Sequence, residues 1–89
     1  MDKIAVGVVR SSHGMRGLMR VHSLSGETGH FLRLSEVSLR KEGREADFAV
    51  EKCAEAAGGV LLKLKGIDSP EEARKYSSWE VWVPRDKAA

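Results

Sequence analysis

Apolar and polar residues alternate with a period of two in several short stretches of the chain, which is the pattern of half-buried β-strands. The stretches predicted as strands are 4–10, 18–24, 36–41, 46–56, 60–65 and 79–83. In the second stretch, Met19, Val21 and Ser23 share one face, and Arg20 and His22 share the other. Six short strands in 89 residues predict an all-β fold, a small closed antiparallel barrel, because closure leaves no unpaired sheet edge.

Interruptions of the alternation predict where the strands bend. Gly7 in the first strand indicates a bulge or the close approach of another strand. Cys53 falls out of step with Phe48 and Val50, which predicts a bulge or bend near Lys52. In the fifth strand the alternation places Lys63 outward, in solvent.

Two connections have distinctive sequences. Residues 69–72 predict a helix start, with Ser69 as the cap and a glutamate three residues later as its partner, and the helix is expected over 70–77. Residues 25–34 predict a lid-like turn capped by Thr28, in which Phe31 and Leu32 fill one end of the barrel.

Length and composition limit the class of protein. The length is that of one small domain, and a hydrophobic content of 42% with 31% charged residues is typical of a soluble folded chain. No apolar run approaches the roughly 20 residues that span a bilayer, and no secretory signal is expected. The single cysteine, Cys53, excludes an internal disulfide and favours a reducing cytoplasm.

The net charge of +2 is unevenly distributed along the chain. Residues 1–45 contain eight Lys and Arg against five Asp and Glu, whereas residues 46–89 contain seven against eight. A uniformly basic nucleic-acid coat is therefore not expected, but a local cationic face in the first half is.

The candidate site lies in the turn between the first two strands. Gly14 and Gly17 allow backbone angles that other residues adopt only at a cost, and they flank Arg16. Arg16 has two possible roles, pairing with a partner or bracing the turn by bonding backbone carbonyls. Arg20 and His22 lie side by side on the next strand and predict a basic recognition patch, the alternative being an ordinary solvated sheet face.

No constellation of catalytic or metal-binding residues is visible in the sequence. His13, His22, His30 and Cys53 lack the paired spacing of a zinc site. The Gly14-x-x-Gly17 spacing resembles a phosphate cradle, but no Lys-Ser/Thr pair or helix start follows it. We therefore predict no catalytic residue, no metal and no cofactor; a flavin-binding enzyme barrel is the least supported alternative.

Several motifs in order resemble the N-terminal domain of the RimM family of ribosome maturation factors, which are 16S rRNA processing proteins. They are VGVV at 6–9, HGMRGLMRV at 13–21, GVLLKLKGID at 59–68, EEA at 71–73 and VWVPR at 81–85. The resemblance implies a six-stranded barrel like those of translation factors, spanning about 3–84. It also implies that the family's C-terminal barrel domain lies outside residues 1–89.

The resemblance implies a function as well as a fold. Family members are non-catalytic assembly factors that bind the free 30S subunit, largely through ribosomal protein S-nineteen in its head, and assist 16S rRNA processing and head maturation. By resemblance the partner-binding residues are His13, Gly14, Arg16 and Gly17 in the signature turn and Arg20 on the following strand, with His22 added as its neighbour. Direct binding of 16S rRNA by the barrel is the alternative. We expect a cytoplasmic monomer without a membrane partner.

Trp82 is a large aromatic residue that the alternation places outward on the last strand. Exposed apolar surface often marks an interface, so Trp82 is predicted to pack against the family's second domain. The alternative is that Trp82 covers the short helix, since tryptophan is usually largely buried.

Overall fold

The computed structural model describes residues 3–87, which form a closed barrel of antiparallel strands. The strands are β1 (Lys3–His13), β2 (Leu18–Ser23), β3 (Glu36–Lys41), β4 (Arg44–Ala56), β5 (Gly59–Leu64) and β6 (Glu80–Pro84). One short helix, α1 (Pro70–Arg74), and two 3-10 turns, Gly29–Arg33 and Arg85–Lys87, complete the described chain. The strands follow one another around the barrel in the order β1-β2-β5-β4-β3-β6, and β6 pairs with β1 to close it. The predicted all-β barrel with one short helix is confirmed.

The interior of the barrel contains the residues that alternation places inward. Met19 and Val21 of β2 face Leu62 and Val60 of β5 across the strand pair, and all four are buried. Ser23 is also buried, and its hydroxyl donates a hydrogen bond of 2.6 Å to the carbonyl oxygen of Glu27. Burial of these apolar side chains removes them from water and is the main stabilising contribution in a domain this small.

Both predicted bulges are present, and a third lies in β1. The pairing of β1 with β6 shifts between Ala5 and Gly7, and the pairing of β4 with β5 shifts between Val50 and Lys52. Gly7 is also a close approach, because a Cβ atom there would lie 2.7 Å from Val21 Cγ1. The additional shift, which alternation did not predict, separates Val9 from Ser11 in the β1–β2 pairing.

Lys63 corrects the expectation that its side chain is solvated. It is only 8% exposed, and its Nζ lies 2.9 Å from both Asp68 Oδ1 and the carbonyl oxygen of Leu64. The side chain leaves the barrel as predicted, but the segment between β5 and α1 folds back over it. A buried ammonium group needs such partners, since an unpaired charge is costly to bury.

The lid is a 3-10 turn that buries Phe31 completely but leaves Leu32 47% exposed, so the prediction for Leu32 is wrong. A 3-10 turn has three residues per turn, so its side chains point in three different directions, and His30, Phe31 and Leu32 cannot all face the barrel. His30 is buried beside Phe31 instead, with ring centroids 4.5 Å apart. Thr28 precedes the turn, but its side chain makes no capping hydrogen bond, which also corrects the prediction.

The helix begins as predicted and ends early. Ser69 Oγ accepts a hydrogen bond from the Glu72 amide at 3.2 Å, while Glu72 Oε1 accepts one from the Asp68 amide at 3.1 Å. The helix ends at Arg74, and turns continue to Ser78, whose φ of +69° reverses the chain. The Ser78 amide donates to the Val9 carbonyl at 2.7 Å, which attaches this segment to β1. Within residues 3–87 we find no helix with the length and apolarity required to cross a membrane.

Candidate functional site

The turn between β1 and β2 is pressed against the segment that follows β5. Gly17 has a φ of +87°, and a Cβ atom at this position would overlap the carbonyl oxygen of Ile67 and lie 2.8 Å from its carbonyl carbon. Gly14 has a φ of +70° as well, but nothing lies within 4 Å of its absent Cβ. Gly17 is therefore required both for its backbone conformation and for the close contact, whereas Gly14 is required for its conformation alone.

Arg16 lies between these glycines with an exposed side chain. Among residues 3–87 its guanidinium group has no hydrogen bond and no ion pair. The alternative in which a buried Arg16 braces the turn therefore finds no support in the structure. The five donors of the guanidinium group are free for an external acceptor.

Arg20 and His22 project outward from β2 and are exposed, as predicted. Arg20 Nη2 lies 3.1 Å from Nδ1 of His13, at the end of β1. Because a guanidinium group can only donate, this contact is a hydrogen bond when His13 Nδ1 carries no proton. The contact holds the Arg20 side chain against β1 and brings together two of the residues that the sequence assigned to the site.

Arg10 joins this group, although the sequence analysis did not include it. Val9 pairs with Val21 and Ser11 pairs with Arg20, so Arg10 is the extra residue of the β1 bulge. Arg10, Arg20 and His22 line one cleft of about 190 Å³, and its far wall is the β4–β5 turn. Ser11 was the one indication of this bulge in the sequence. Uninterrupted alternation from the inward-facing Val9 would place Ser11 inward as well, although serine is polar.

These side chains form one cationic surface, which we call the β1–β2 basic face and define as Arg10, His13, Arg16, Arg20 and His22. Ion pairs within residues 3–87 join residues outside the face: Lys3 with Glu45 and Asp47, Arg40 with Glu45, Lys63 with Glu51 and Asp68, and Arg74 with Glu71. No carboxylate in the described part of the chain pairs with an arginine of the face. Its positive charge is therefore uncompensated and free to attract an anionic or carbonyl-rich partner.

The remaining titratable residues named by the sequence lie apart from this face. His30 is buried under the lid, and its Nε2 has no hydrogen-bond partner in the described chain. Burial raises the pKa of the Cys53 thiol above its ordinary value, which makes Cys53 less nucleophilic. Nowhere between residues 3 and 87 do three or more His, Cys, Asp or Glu side chains come together in a group that could hold a metal ion.

Trp82 lies on a different side of the barrel. Its ring is half-buried, and the Arg40 guanidinium carbon lies 4.5 Å from the ring centroid. Its indole N–H donates to Glu80 Oε1 at 3.0 Å.

Arg40, which contacts the Trp82 ring, also faces a carboxylate: its Nε lies 3.2 Å from Glu45 Oε2, although without hydrogen-bond alignment. The hydrogen bond from Lys3, with Arg40 adding to its effect, lowers the pKa of Glu45 below its ordinary value. Tyr76, in the turn that follows α1, packs edge-on against Trp79 and Phe48.

Comparison with known proteins identifies the family. The sequence model of the RimM N-terminal domain matches residues 4–88 of this chain. The chain belongs to the RimM family. The resemblance to the RimM N-terminal domain that the sequence indicated is thereby confirmed.

Several RimM proteins are similar to the whole chain. A ribosome maturation factor RimM of Treponema denticola is 38% identical over 97 residues, which cover 100% of this chain and 54% of the relative. The ribosome maturation factor RimM of Pseudomonas syringae pv. tomato is 38% identical over 91 residues, covering 96% of this chain and 48% of the relative. The chain thus spans about half the length of the curated relatives it matches.

Solved RimM structures have the same barrel. A crystal structure of a RimM protein of Pseudomonas aeruginosa, described as a 16S ribosomal RNA processing protein, superposes with a TM-score of 0.85 at 28% identity. It matches 96% of this chain and 52% of that one. The solution structure of the N-terminal domain of RimM from Thermus thermophilus gives a TM-score of 0.80 over 100% of this chain and 96% of that domain. At 17% identity, the second likeness concerns the fold alone.

Proposed function

We propose that this domain is a docking module of a ribosome maturation factor that binds the free 30S subunit and catalyses no reaction. Its relatives are named ribosome maturation factors, and one solved relative is described as a 16S ribosomal RNA processing protein. The observation that carries the proposal is the β1–β2 basic face, where exposed arginines have no carboxylate partner within residues 3–87. We place this activity in the cytoplasm and expect the domain to act as a monomer.

The geometry of the face suits recognition because its parts are held before a partner arrives. Gly17 locks the turn against Ile67, and His13 holds the Arg20 side chain. Groups that are already ordered lose less conformational entropy on binding, so more of the contact energy contributes to affinity. The proposed partner is ribosomal protein S-nineteen in the head of the subunit, and the proposed consequence is assistance to head maturation and 16S rRNA processing.

The residues of the face also suit binding better than catalysis. Its arginines stay protonated at every physiological pH, so they can hold anions and carbonyl oxygens but cannot exchange protons. The two histidines are the face's only groups that could transfer a proton, and His13 is engaged by Arg20 in the described structure. The proposal therefore gives the face no step that makes or breaks a bond.

A capture experiment with separated ribosomal particles tests the proposal. The immobilised chain is incubated with 30S, 50S and 70S particles, and the bound protein is identified by crosslinking. We expect selective capture of 30S particles and a crosslink to S-nineteen. Equal capture of all particles would refute the proposal, and crosslinks only to 16S rRNA would favour the alternative in which the barrel binds rRNA directly.

Charge reversal at Arg20 is expected to weaken 30S capture by at least about tenfold, which corresponds to roughly 1.4 kcal/mol. The Arg20→Glu variant replaces an exposed donor by an acceptor at the centre of the face and also removes the contact with His13. The matched control is Arg44→Glu, which makes the same charge change at an exposed position of the β3–β4 hairpin, on strands that do not pair with β1 or β2. Equal losses for the two variants, both checked for folding by circular dichroism, would refute the role of Arg20.

We also propose that Trp82 contacts the remainder of a RimM protein, since the matched relatives are about twice as long as this chain. The fluorescence of Trp82, measured in a Trp79→Phe background, is then expected to shift to shorter wavelength in a chain that continues into a second RimM domain. The shift follows from loss of water around the half-buried ring. Identical spectra for the short and the extended chain would rule out this contact.

A further inference from the structure

We propose that the cleft between the β1 bulge and the β4–β5 turn binds a phosphate group of an RNA backbone. The cleft lies on the outer surface of β2, and Arg10, Arg20 and His22 line it. The inference rests on the proposed function and adds a second contact to it: the domain meets rRNA phosphate at this cleft while it docks on the small subunit.

Arg10 and Arg20 give the cleft two guanidinium groups. Val9 is buried, so alternation places Arg10 on the outer face of the barrel, and the shift in register leaves Arg10 without a partner in the β1–β2 ladder. An anion bound in the cleft would offset the repulsion between these two like charges. A phosphate oxygen pair matches the planar fork of each guanidinium group, which makes arginine the preferred residue for bidentate phosphate contacts.

The opposite wall is built from small residues, which leaves room for the anion. Ala56, Ala57 and Gly58 form it, and the volume of about 190 Å³ is several times the roughly 30 Å³ that one water molecule occupies. Gly59 brings this wall close to β2, since a Cβ atom at Gly59 would overlap the carbonyl oxygen of Val21. Among residues 3–87 no carboxylate lines the cleft; Glu55 precedes the turn but does not line it.

An RNA backbone explains the surroundings of the cleft better than an acidic protein segment does. The cationic surface continues beyond the cleft through Arg20 and His13 to Arg16 at the turn, and such a run suits a regular series of phosphates. Among the described residues no Phe, Tyr or Trp lines the cleft, and its two arginines suit phosphate oxygens. The contact is therefore expected to position the backbone without regard to base sequence.

The test measures the salt dependence of RNA binding. Fluorescence anisotropy of two short single-stranded RNA oligonucleotides of unrelated sequence is recorded with the 89-residue chain over a series of salt concentrations. Each phosphate contact on a single strand contributes about 0.7 to the slope of log affinity against log salt. We expect Arg10→Gln to reduce the steepness of this slope by about 0.7 and to weaken binding about tenfold at low salt, equally for both oligonucleotides. Arg44→Gln, the control, is expected to leave both quantities unchanged.

Each outcome distinguishes the cleft from the proposed function. Equal slopes for Arg10→Gln and Arg44→Gln, with circular dichroism showing both folded, overturn the phosphate site. Arg10-dependent competition by polyglutamate in the absence of RNA binding also overturns it and assigns the cleft to protein carboxylates. Selective 30S capture without Arg10-dependent RNA binding removes the cleft inference and leaves the proposed function intact. An Arg10-dependent slope together with equal capture of 30S, 50S and 70S particles supports the phosphate site and refutes the proposed function.

Discussion

Gly17→Ala is expected to destabilise the domain by about 2–5 kcal/mol, because two independent costs fall on the same atom. The first is conformational: the φ of +87° at Gly17 lies in the left-handed region, where a Cβ atom costs about 1–2 kcal/mol. The second is steric, because the new methyl group would overlap the backbone carbonyl of Ile67. A carbonyl cannot rotate away like a side chain, so the segment after β5 must shift, at a cost of about 1–3 kcal/mol.

Gly14→Ala in the same turn separates these two costs. Gly14 also has a positive φ, of +70°, but open space surrounds its absent Cβ, so only the conformational cost of about 1–2 kcal/mol is expected. Urea denaturation followed by circular dichroism gives the free energy of unfolding of each variant. If Gly14→Ala and Gly17→Ala lost the same stability, the contact with Ile67 would have no energetic importance, and the turn would not be the rigid corner that the docking proposal requires.

Phe31→Ala is expected to cost about 3–5 kcal/mol, the range found when a fully buried aromatic ring is truncated. Phe31 is completely buried under the lid and carries the ring contact with His30. A domain of 89 residues has a net stability of only about 4–13 kcal/mol, so this variant loses a large share of it.

Leu32→Ala is the matched control for Phe31→Ala, since it removes an apolar side chain from the next residue of the same turn. Leu32 is exposed, and surface truncations usually change stability by less than about 0.5 kcal/mol. Thermal or urea denaturation gives the free energy of unfolding of both variants. A loss for Leu32→Ala comparable to that for Phe31→Ala would mean that the lid is seated on the barrel differently from the arrangement described.

Prediction from sequence succeeded where one structural period governs a segment. In β2, the sequence of Met19, Arg20, Val21 and His22 determines which side chains are buried, because a strand places successive residues on opposite faces. The lid is too short to show a repeating pattern of apolar residues. Whether Phe31 or Leu32 enters the barrel depends on how this one turn packs on it. Lys63 escaped prediction for a similar reason, since alternation within β5 does not show that the segment after the strand folds back over its side chain.

The residues of the candidate site could also be predicted only where strand alternation or a tight turn fixes them. Arg20 and His22 follow from alternation, and the importance of Gly17 follows from its place in a tight turn, but its contact with Ile67 depends on a segment far along the chain. Alternation from Val9 places Arg10 outward, but its position as the unpaired residue of a bulge could not be predicted, because a bulge is detectable only from the pairing of two strands. The polar Ser11 was the one local indication of it.

The pairing of β1 with β6 has a consequence for synthesis of the chain. Lys3, near the start, lies opposite Pro84, near the end, so the ring cannot close until nearly all of the domain has left the translating ribosome. Until then β1 lacks one of its two neighbours, and β3 lacks the same strand. Contacts between residues so distant in sequence form slowly, and an unpaired strand edge invites aggregation. Completion of this domain is therefore expected to be a late, cooperative event that follows emergence of the last strand.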